Sequence, residues 1–146
     1  MNKTPSTKIA QIKRQWHLID VSDKILGRVC TEIATKLTGK SKPYFVRHLD
    51  CGDYVVVTNC VKIKTTGKKM SDKLYTKYSG YPGGLQTEQL SSLLQRKPEE
   101  VIIRGVKGML PNNKLRDQFL KRLYVFKDEK HPYEKNLKSQ ISNPKT

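Results

Sequence analysis

The hydrophobic residues of this chain recur at two spacings, which predict strands that alternate with helices. Residues 16–20 (WHLID) alternate between apolar and polar side chains, which indicates a short strand. Apolar residues then recur at helical spacing, which predicts an amphipathic helix over roughly residues 25–38. Its apolar stripe consists of Leu26, Val29, Ile33, Ala34 and Leu37. Ser22 or Asp23 is a candidate N-cap, and Gly39 is a candidate C-cap.

The middle of the chain contains the strongest strand pattern, followed by a loop. Residues 54–61 (YVVVTNCV) are almost continuously β-branched or apolar instead of alternating. Because such runs are typical of strands covered on both faces, they favour an α/β sandwich. Residues 79–84 (SGYPGG) contain too much glycine and proline for regular structure, and we expect a loop there.

The second half of the chain predicts three further helices and a closing strand. Thr87 is a candidate cap for a helix with Leu90, Leu93 and Leu94 on one side. Pro98 is predicted to begin the next helix, whose buried side carries Val101, Ile102, Val106 and Leu110. Asn112 or Asn113 is predicted to cap the third, with Leu115, Phe119 and Leu120 on its apolar side. Residues 123–126 (LYVF) indicate the closing strand.

The order of these elements predicts one α/β domain with a tail at each end. Alternating strands and helices are typical of this fold class. We expect residues 1–15 to form a basic, flexible N-terminal extension, since they contain no acidic residue. The domain itself is expected over residues 16–132, and residues 133–146 are expected to form an extended C-terminal tail.

The charge of the chain indicates a polyanionic partner. Its 146 residues include 29 lysines and arginines against 13 acids, a net charge of +16. A charge this large repels itself in a compact protein, and a nucleic acid would neutralise it. The excess is concentrated in residues 36–47, which contain no acid, and in residues 62–77, where six lysines face only Asp72.

Other classes of protein are disfavoured by the same sequence. No apolar run approaches the ~20 residues that span a bilayer, so we expect neither membrane contact nor a signal segment. Three widely separated cysteines indicate a reducing compartment, and we expect no cofactor, metal or small-molecule substrate. Asp20, Asp50 and Asp53 near strand ends are the candidate ligands for a metal-dependent nuclease, although aspartates there usually cap turns. We therefore expect no enzymatic activity.

Two segments have the composition of RNA-binding loops. Residues 67–84 (GKKMSDKLYTKYSGYPGG) combine lysines for phosphates, tyrosines for unpaired bases and glycines that allow close approach. The alternative is that these tyrosines pack against the domain. Residues 104–116 (RGVKGMLPNNKLR) place cations around a break between two helices, where free N–H groups attract phosphate. The alternative is a structural corner with Met109 and Leu110 in the core.

At these segments the sequence resembles a known family, that of large-ribosomal-subunit protein thirteen, of the bacterial or organellar type. The blocks that carry the resemblance are WHLIDVSDKILGRVCTEIATKLTGK, HLDCGDYVVVTN, TGKKMSDKLYTKYSGYPGG, PEEVIIRGVKGMLPNNKL and HPYEKN. They cover roughly residues 14–137 in order. The resemblance implies a three-layer α/β/α domain around a small, mostly parallel four-stranded sheet. It also implies a structural role in binding large-subunit ribosomal RNA early in assembly, beside neighbouring ribosomal proteins and without catalysis.

The resemblance also carries residues over to this chain. Its first RNA-facing block corresponds to Gly67, Lys68, Lys69, Lys73, Tyr75, Gly83 and Gly84, and its second to Lys107, Gly108, Met109, Leu110, Pro111 and Asn113. The chain departs from the family pattern at Tyr78, where a histidine is common, at residues 115–117, where the arginine is one position earlier, and at Tyr133.

Together the residues and the resemblance predict an RNA-binding structural protein of the large ribosomal subunit, in the cytoplasm or an organelle. The alternative is a free regulatory module that binds messenger RNA outside the ribosome. The complete set of predicted RNA-binding residues is Lys40, Lys42, Arg47, Gly67, Lys68, Lys69, Lys73, Tyr75, Lys77, Tyr78, Gly83, Gly84, Arg104, Lys107, Gly108, Met109, Pro111, Asn113, Lys114 and Arg116.

Overall fold

The computed structural model describes residues 6–141, which form a mixed α/β domain. Its strands are β1 (Trp16–Asp20), β2 (Tyr54–Thr58), β3 (Leu74–Tyr78), β4 (Leu85–Gln89) and β5 (Leu123–Val125). Its helices are α1 (Leu26–Thr38), α2 (Lys69–Asp72), α3 (Leu90–Arg96), α4 (Pro98–Met109), α5 (Arg116–Leu120) and α6 (Glu134–Ile141). None of these helices is long and apolar enough to cross a membrane.

The strands form two separate sheets. β1, β2 and β5 make a parallel sheet with β2 in the centre, and β3 and β4 make an antiparallel hairpin. Trp16 pairs with Tyr54 across β1 and β2, and Val55 pairs with Leu123 across β2 and β5. The prediction of a mostly parallel sheet is confirmed. The expected four-stranded sheet is not observed. Over the described residues the parallel sheet has three strands, because the remaining two pair with each other.

One face of the parallel sheet is buried under α1 and α4. Val55 and Val57 project from β2 into the same core as Ile33 of α1 and Ile102 of α4, and all four are inaccessible to solvent. The two helices also contact each other, and Gly105 of α4 permits this: a Cβ there would lie 2.7 Å from the Cys30 sulfur. The apolar stripes predicted from the sequence are therefore the faces that form the core.

The opposite face of the sheet carries aromatic side chains. The ring of Trp16 stacks on that of Tyr54, with centroids 4.4 Å apart, and on that of Tyr133, at 5.3 Å. Tyr124 joins the same group, with its centroid 4.4 Å from that of Tyr133. Because residue 133 follows the last strand, this stack holds the C-terminal segment against the sheet, where α6 contacts β1.

The amino ends of the three parallel strands meet at an edge that is held by buried charges. Arg122, which immediately precedes β5, is 5% exposed and places two guanidinium nitrogens on the two carboxylate oxygens of Asp50. Arg14, just before β1, also contacts Asp50. At the same edge the chain passes very close to the end of α1. A Cβ added at Gly52 would lie only 1.7 Å from the Leu37 carbonyl oxygen.

The starts of two helices differ from the predictions. The N-cap of α1 is Ile25, not Ser22 or Asp23. Ser22 instead bonds to the Asp20 carboxylate, and the Leu26 N–H donates to the Lys64 carbonyl, so main chain satisfies the first N–H of this helix. Thr87 lies inside β4, and α3 begins after Gln89.

The later elements also differ in detail. Asn113 accepts a hydrogen bond from the Leu115 N–H, but α5 is a five-residue helix with Leu115 as its N-cap. The tail predicted to be extended after Pro132 contains α6 instead, and residues 142–146 lie outside the described part of the chain. Gly39 ends α1 as predicted, with a φ of 75°.

The close approach at Gly52 predicts that this position tolerates no side chain. We expect Gly52→Ala to lower the free energy of unfolding by about 3 kcal/mol or more, because the new Cβ overlaps main chain that cannot move freely. Gly27→Ala is the matched control, since no atom lies within 4 Å of a Cβ there. Urea denaturation would measure both, and equal midpoints for the two variants would contradict this packing.

Candidate nucleic-acid interface

A groove of about 440 Å³ brings the two predicted RNA-binding segments together. It lies between the start of α1, the segment around α2, and the second half of α4, and we call it the α1–α4 groove. Lys68, Lys69 and Lys73 line it from the first segment, and Met109 lines it from the second. Residues 25–27 and Leu90 complete its apolar part. Two loops that are distant in the sequence thus face one concave surface.

A second groove of about 450 Å³ adds the basic segment that follows α1. Lys40 and Arg47 line it together with Met109, Pro111 and Asn113. Met109 therefore belongs to both grooves, and its side chain is 46% exposed. The Thr31 hydroxyl, 3.5 Å from the Met109 sulfur, holds that side chain beside α1. All three basic segments singled out in the sequence meet around this residue.

Tyr75 packs against the domain instead of projecting into solvent. Lys73 places its ammonium 5.2 Å from the centre of the Tyr75 ring, and Arg104 places its guanidinium carbon 5.3 Å from it. Arg104 also donates a 3.0 Å hydrogen bond to Glu100 on the same helix. Since Tyr75 is also packed against the core, the structural alternative describes this tyrosine better than base stacking does. Its ring lies against both Lys73 and Arg104.

The predicted RNA-binding residues of the β3–β4 hairpin lie on both of its faces. Side chains alternate along a strand, so Tyr75 and Lys77 project to one side of β3 and Tyr78 to the other. Tyr78 pairs directly with Leu85, and both are mostly exposed. Gly83 and Gly84 shape the turn between the strands: Gly83 has a φ of 71°, and a Cβ at Gly84 would lie 2.0 Å from the Ser79 hydroxyl oxygen.

The remaining predicted residues lie at or beside the break after α4. Lys107 and Gly108 are exposed on the last turn of α4, and Lys114 is exposed beyond it. Arg116 is half-buried, and its Nε is buried without a hydrogen-bond partner. Gly67, on the other side of the α1–α4 groove, has a φ of 62° that directs the chain into α2.

Lys42 is the predicted residue whose placement argues against RNA contact. Its side chain is only 11% exposed, and its ammonium donates to the carbonyls of Lys13 and Cys51, each at 2.8 Å, and to the Asp53 carboxylate. All three ammonium protons are thereby used inside the domain. We therefore exclude Lys42 from the interface and regard it as a structural cation.

Asp53 is the centre of this internal network. Burial alone would raise the pKa of its carboxyl, but hydrogen bonds from His17 and Lys42 and from the Gln15 N–H outweigh burial and lower it. The carboxylate is thus kept ionised. This network anchors residues 13–15, which were expected to belong to a flexible extension, to the loop that precedes β2.

The α1–α4 groove contains residues that the sequence patterns did not single out. Gly27, Thr65 and Thr66 line it beside the three lysines. No local pattern marks them, because they become neighbours only when residue 25 pairs with residue 64 and sets the start of α1 against the 65–73 segment. A parallel bridge between distant residues leaves no periodicity in the sequence.

The described residues thus form a mixed α/β domain whose basic segments line two grooves, a surface of the charge that suits a polyanion. The chain belongs to the ribosomal protein L13 family, whose model matches residues 14–132. It is 53% identical over 133 residues to the large ribosomal subunit protein uL13 of Prochlorococcus marinus strain MIT 9312, covering 91% of this chain and 93% of that protein. It is 51% identical over 132 residues to the uL13 of Oleidesulfovibrio alaskensis, covering 90% and 92%.

The placement of Lys42 predicts a structural phenotype. We expect Lys42→Met to lower the free energy of unfolding by about 3 kcal/mol, because it leaves the Asp53 carboxylate and two carbonyls without their buried partner. Lys40→Met, which removes the same charge from an exposed side chain two residues earlier, should leave stability unchanged. Thermal unfolding followed by circular dichroism would compare them; similar losses for both would refute the assignment.

Proposed function

We propose that this protein is a structural constituent of the large ribosomal subunit and binds the RNA of that subunit. Membership of the ribosomal protein L13 family supports this, as do relatives of about half-identical sequence that are named large ribosomal subunit proteins. The relatives are bacterial, which favours a bacterial-type ribosome. We further propose a role early in subunit assembly, a scaffold role without catalysis, and contacts with neighbouring ribosomal proteins.

The observation that carries the proposal is the convergence of three basic segments around Met109. Segments 36–47, 67–84 and 104–116 are separated in sequence, yet each contributes to one of the two joined grooves. No ion pair among the described residues involves Lys40, Arg47, Lys68, Lys107 or Lys114. Cations without an acidic partner in the described part of the chain are available to phosphates.

The mechanism follows from the shape of this surface. Phosphate contacts position an RNA without reading its sequence, whereas base edges in an A-form helix are poorly accessible to side chains. A concave basic surface of two grooves therefore selects irregular RNA, where strands approach one another. We propose that the protein holds such strands together by neutralising their phosphates, and that Lys42 and Tyr75 act indirectly by fixing the cations around them.

The salt dependence of binding tests the phosphate contacts. If about six phosphates are neutralised, the logarithm of the affinity for large-subunit ribosomal RNA should fall with the logarithm of salt concentration at a slope of about −4 to −5. Filter binding at several salt concentrations would give this slope. A slope shallower than about −2 would rule out neutralisation of phosphates as the main source of affinity.

A charge-reversal pair locates those contacts. We expect Lys68→Glu combined with Lys69→Glu to weaken RNA binding at least about tenfold without unfolding the protein, because both side chains are exposed. The control is Lys127→Glu combined with Lys130→Glu, which makes the same change in net charge on exposed residues beyond β5. Equal losses from the two pairs would show that net charge matters and that the grooves do not.

Sedimentation of cell lysate tests the ribosomal assignment itself. We expect the protein to migrate with the large subunit and its precursors in a sucrose gradient and to remain there after a moderate-salt wash. The contacts of a protein built into the subunit are buried and survive this wash, whereas a transient binder would be released. Migration as a free protein beside complete subunits would contradict the proposal and would favour the regulatory alternative, a module that binds messenger RNA.

A further inference from the structure

We propose that the α1–α4 groove holds one unstacked nucleotide of the bound RNA, with the base against its apolar floor and the phosphate at its lysine rim. This inference rests on the proposed RNA-binding function and adds a ligand of defined chemistry. The groove of about 440 Å³ lies at the lower end of the ~300–1,000 Å³ typical of small-molecule sites. It suits one nucleotide, whereas a base within a helix remains stacked and cannot enter.

The floor of the groove is apolar and uncharged. Leu26, Cys30 and Leu90 contribute buried side chains, and Met109 contributes a half-exposed thioether. Burial raises the pKa of the Cys30 thiol to about 11, so that it carries no charge at neutral pH. A thioether adapts to flat ligands and makes favourable contacts with aromatic rings. Such a floor offers nothing to a phosphate but suits the face of a base.

The rim of the groove is cationic. Lys68, Lys69 and Lys73 line it against a single acid, Asp72, whose carboxylate accepts a hydrogen bond from Ser71. This imbalance of charge complements a phosphate group. Because Lys68 and Lys69 are exposed side chains, they can reach the phosphate while the base occupies the floor.

The first turn of α1 adds main-chain donors at the same place. No side chain caps this thirteen-residue helix, and its first turn contains no acidic residue. Gly27 lines the groove and has no atom within 4 Å of where a Cβ would be, so a ligand can approach the backbone closely. N–H groups at the start of a helix attract phosphate.

A second, independent feature indicates a missing polar partner. Thr65 lines the groove, and its hydroxyl oxygen is buried without any hydrogen-bond partner. Buried polar atoms are normally paired, either within the protein or with a ligand. Thr65 lies beside the floor that the base would cover, and its hydroxyl can bond the edge of a base once the side chain rotates toward the groove.

Titration with adenosine 5′-monophosphate tests this site directly. We expect saturable shifts in the NMR signals of the Met109 methyl, the Leu26 methyls and the Gly27 amide. Gly27→Leu fills the groove from a position with open space, so it should fold normally and weaken binding at least about tenfold. Gln95→Leu, which introduces the same side chain at an exposed position of α3 outside both grooves, is the matched control and should bind within about threefold of the original protein.

Titration with inorganic phosphate alone distinguishes the phosphate contacts from the base contacts. It should shift the Gly27 amide but leave the Met109 and Leu26 methyl signals in place, since only a base covers the floor. If the nucleotide produces no saturable shift, or only the shifts that phosphate produces, the inference is overturned.

Binding to large-subunit ribosomal RNA distinguishes this inference from the proposed function. Gly27→Leu should weaken RNA binding while reducing the salt slope by no more than about 1, because it displaces at most the one phosphate at the lysine rim. If Gly27→Leu binds this RNA as well as Gln95→Leu does, the nucleotide site is refuted and the phosphate contacts stand. If the unaltered protein does not bind the RNA, the proposed function itself fails.

Discussion

The buried pair of Arg122 and Asp50 determines the arrangement of this domain and of its basic surface. The Arg122 guanidinium reaches both oxygens of Asp50, lies over the Phe119 ring and approaches the Leu37 carbonyl at the end of α1. A buried charge that loses its partner costs about 3–5 kcal/mol, so these groups stay together. One pair therefore joins the start of β5, the end of α1 and the loop that precedes β2. Because Lys40 and Arg47 belong to that loop, the fold and the interface depend on the same interaction.

The parts of the fold that were predictable are those that bury a regular face. β1, α1, α4 and β5 place apolar residues at the period of their own structure, β2 is apolar almost throughout, and the core uses residues of all five. The β3–β4 hairpin was missed because all of its residues except Tyr75 and Glu88 are exposed, so burial imposed no alternation on its sequence. Segment α6 was missed for a related reason: its helical residues are mostly polar and follow a Pro-containing turn that indicated an end.

The candidate site was predictable as a set of charges but not as a shape. Composition marked the three basic segments, yet it could not tell Lys40 from Lys42, which differ because Asp53 and two carbonyls lie beside only the second. Nor could it show that Met109 joins two grooves, since that depends on how α4 ends beside α1. Local sequence specifies the chemistry of each side chain, whereas the partners that decide its role come from distant segments.

The distribution of the few acids explains how so basic a chain can fold and still bind a polyanion. Asp50 and Asp53 neutralise cations inside the domain, and Glu88 and Glu100 pair with Arg96 and Arg104 beside the hairpin. These acids stabilise the scaffold and are not spread over the two grooves, where Asp72 is the only acid among the lining residues. The cations that line the two grooves therefore keep most of their mutual repulsion. An RNA that neutralises this surface removes this repulsion. RNA binding therefore also stabilises the folded protein.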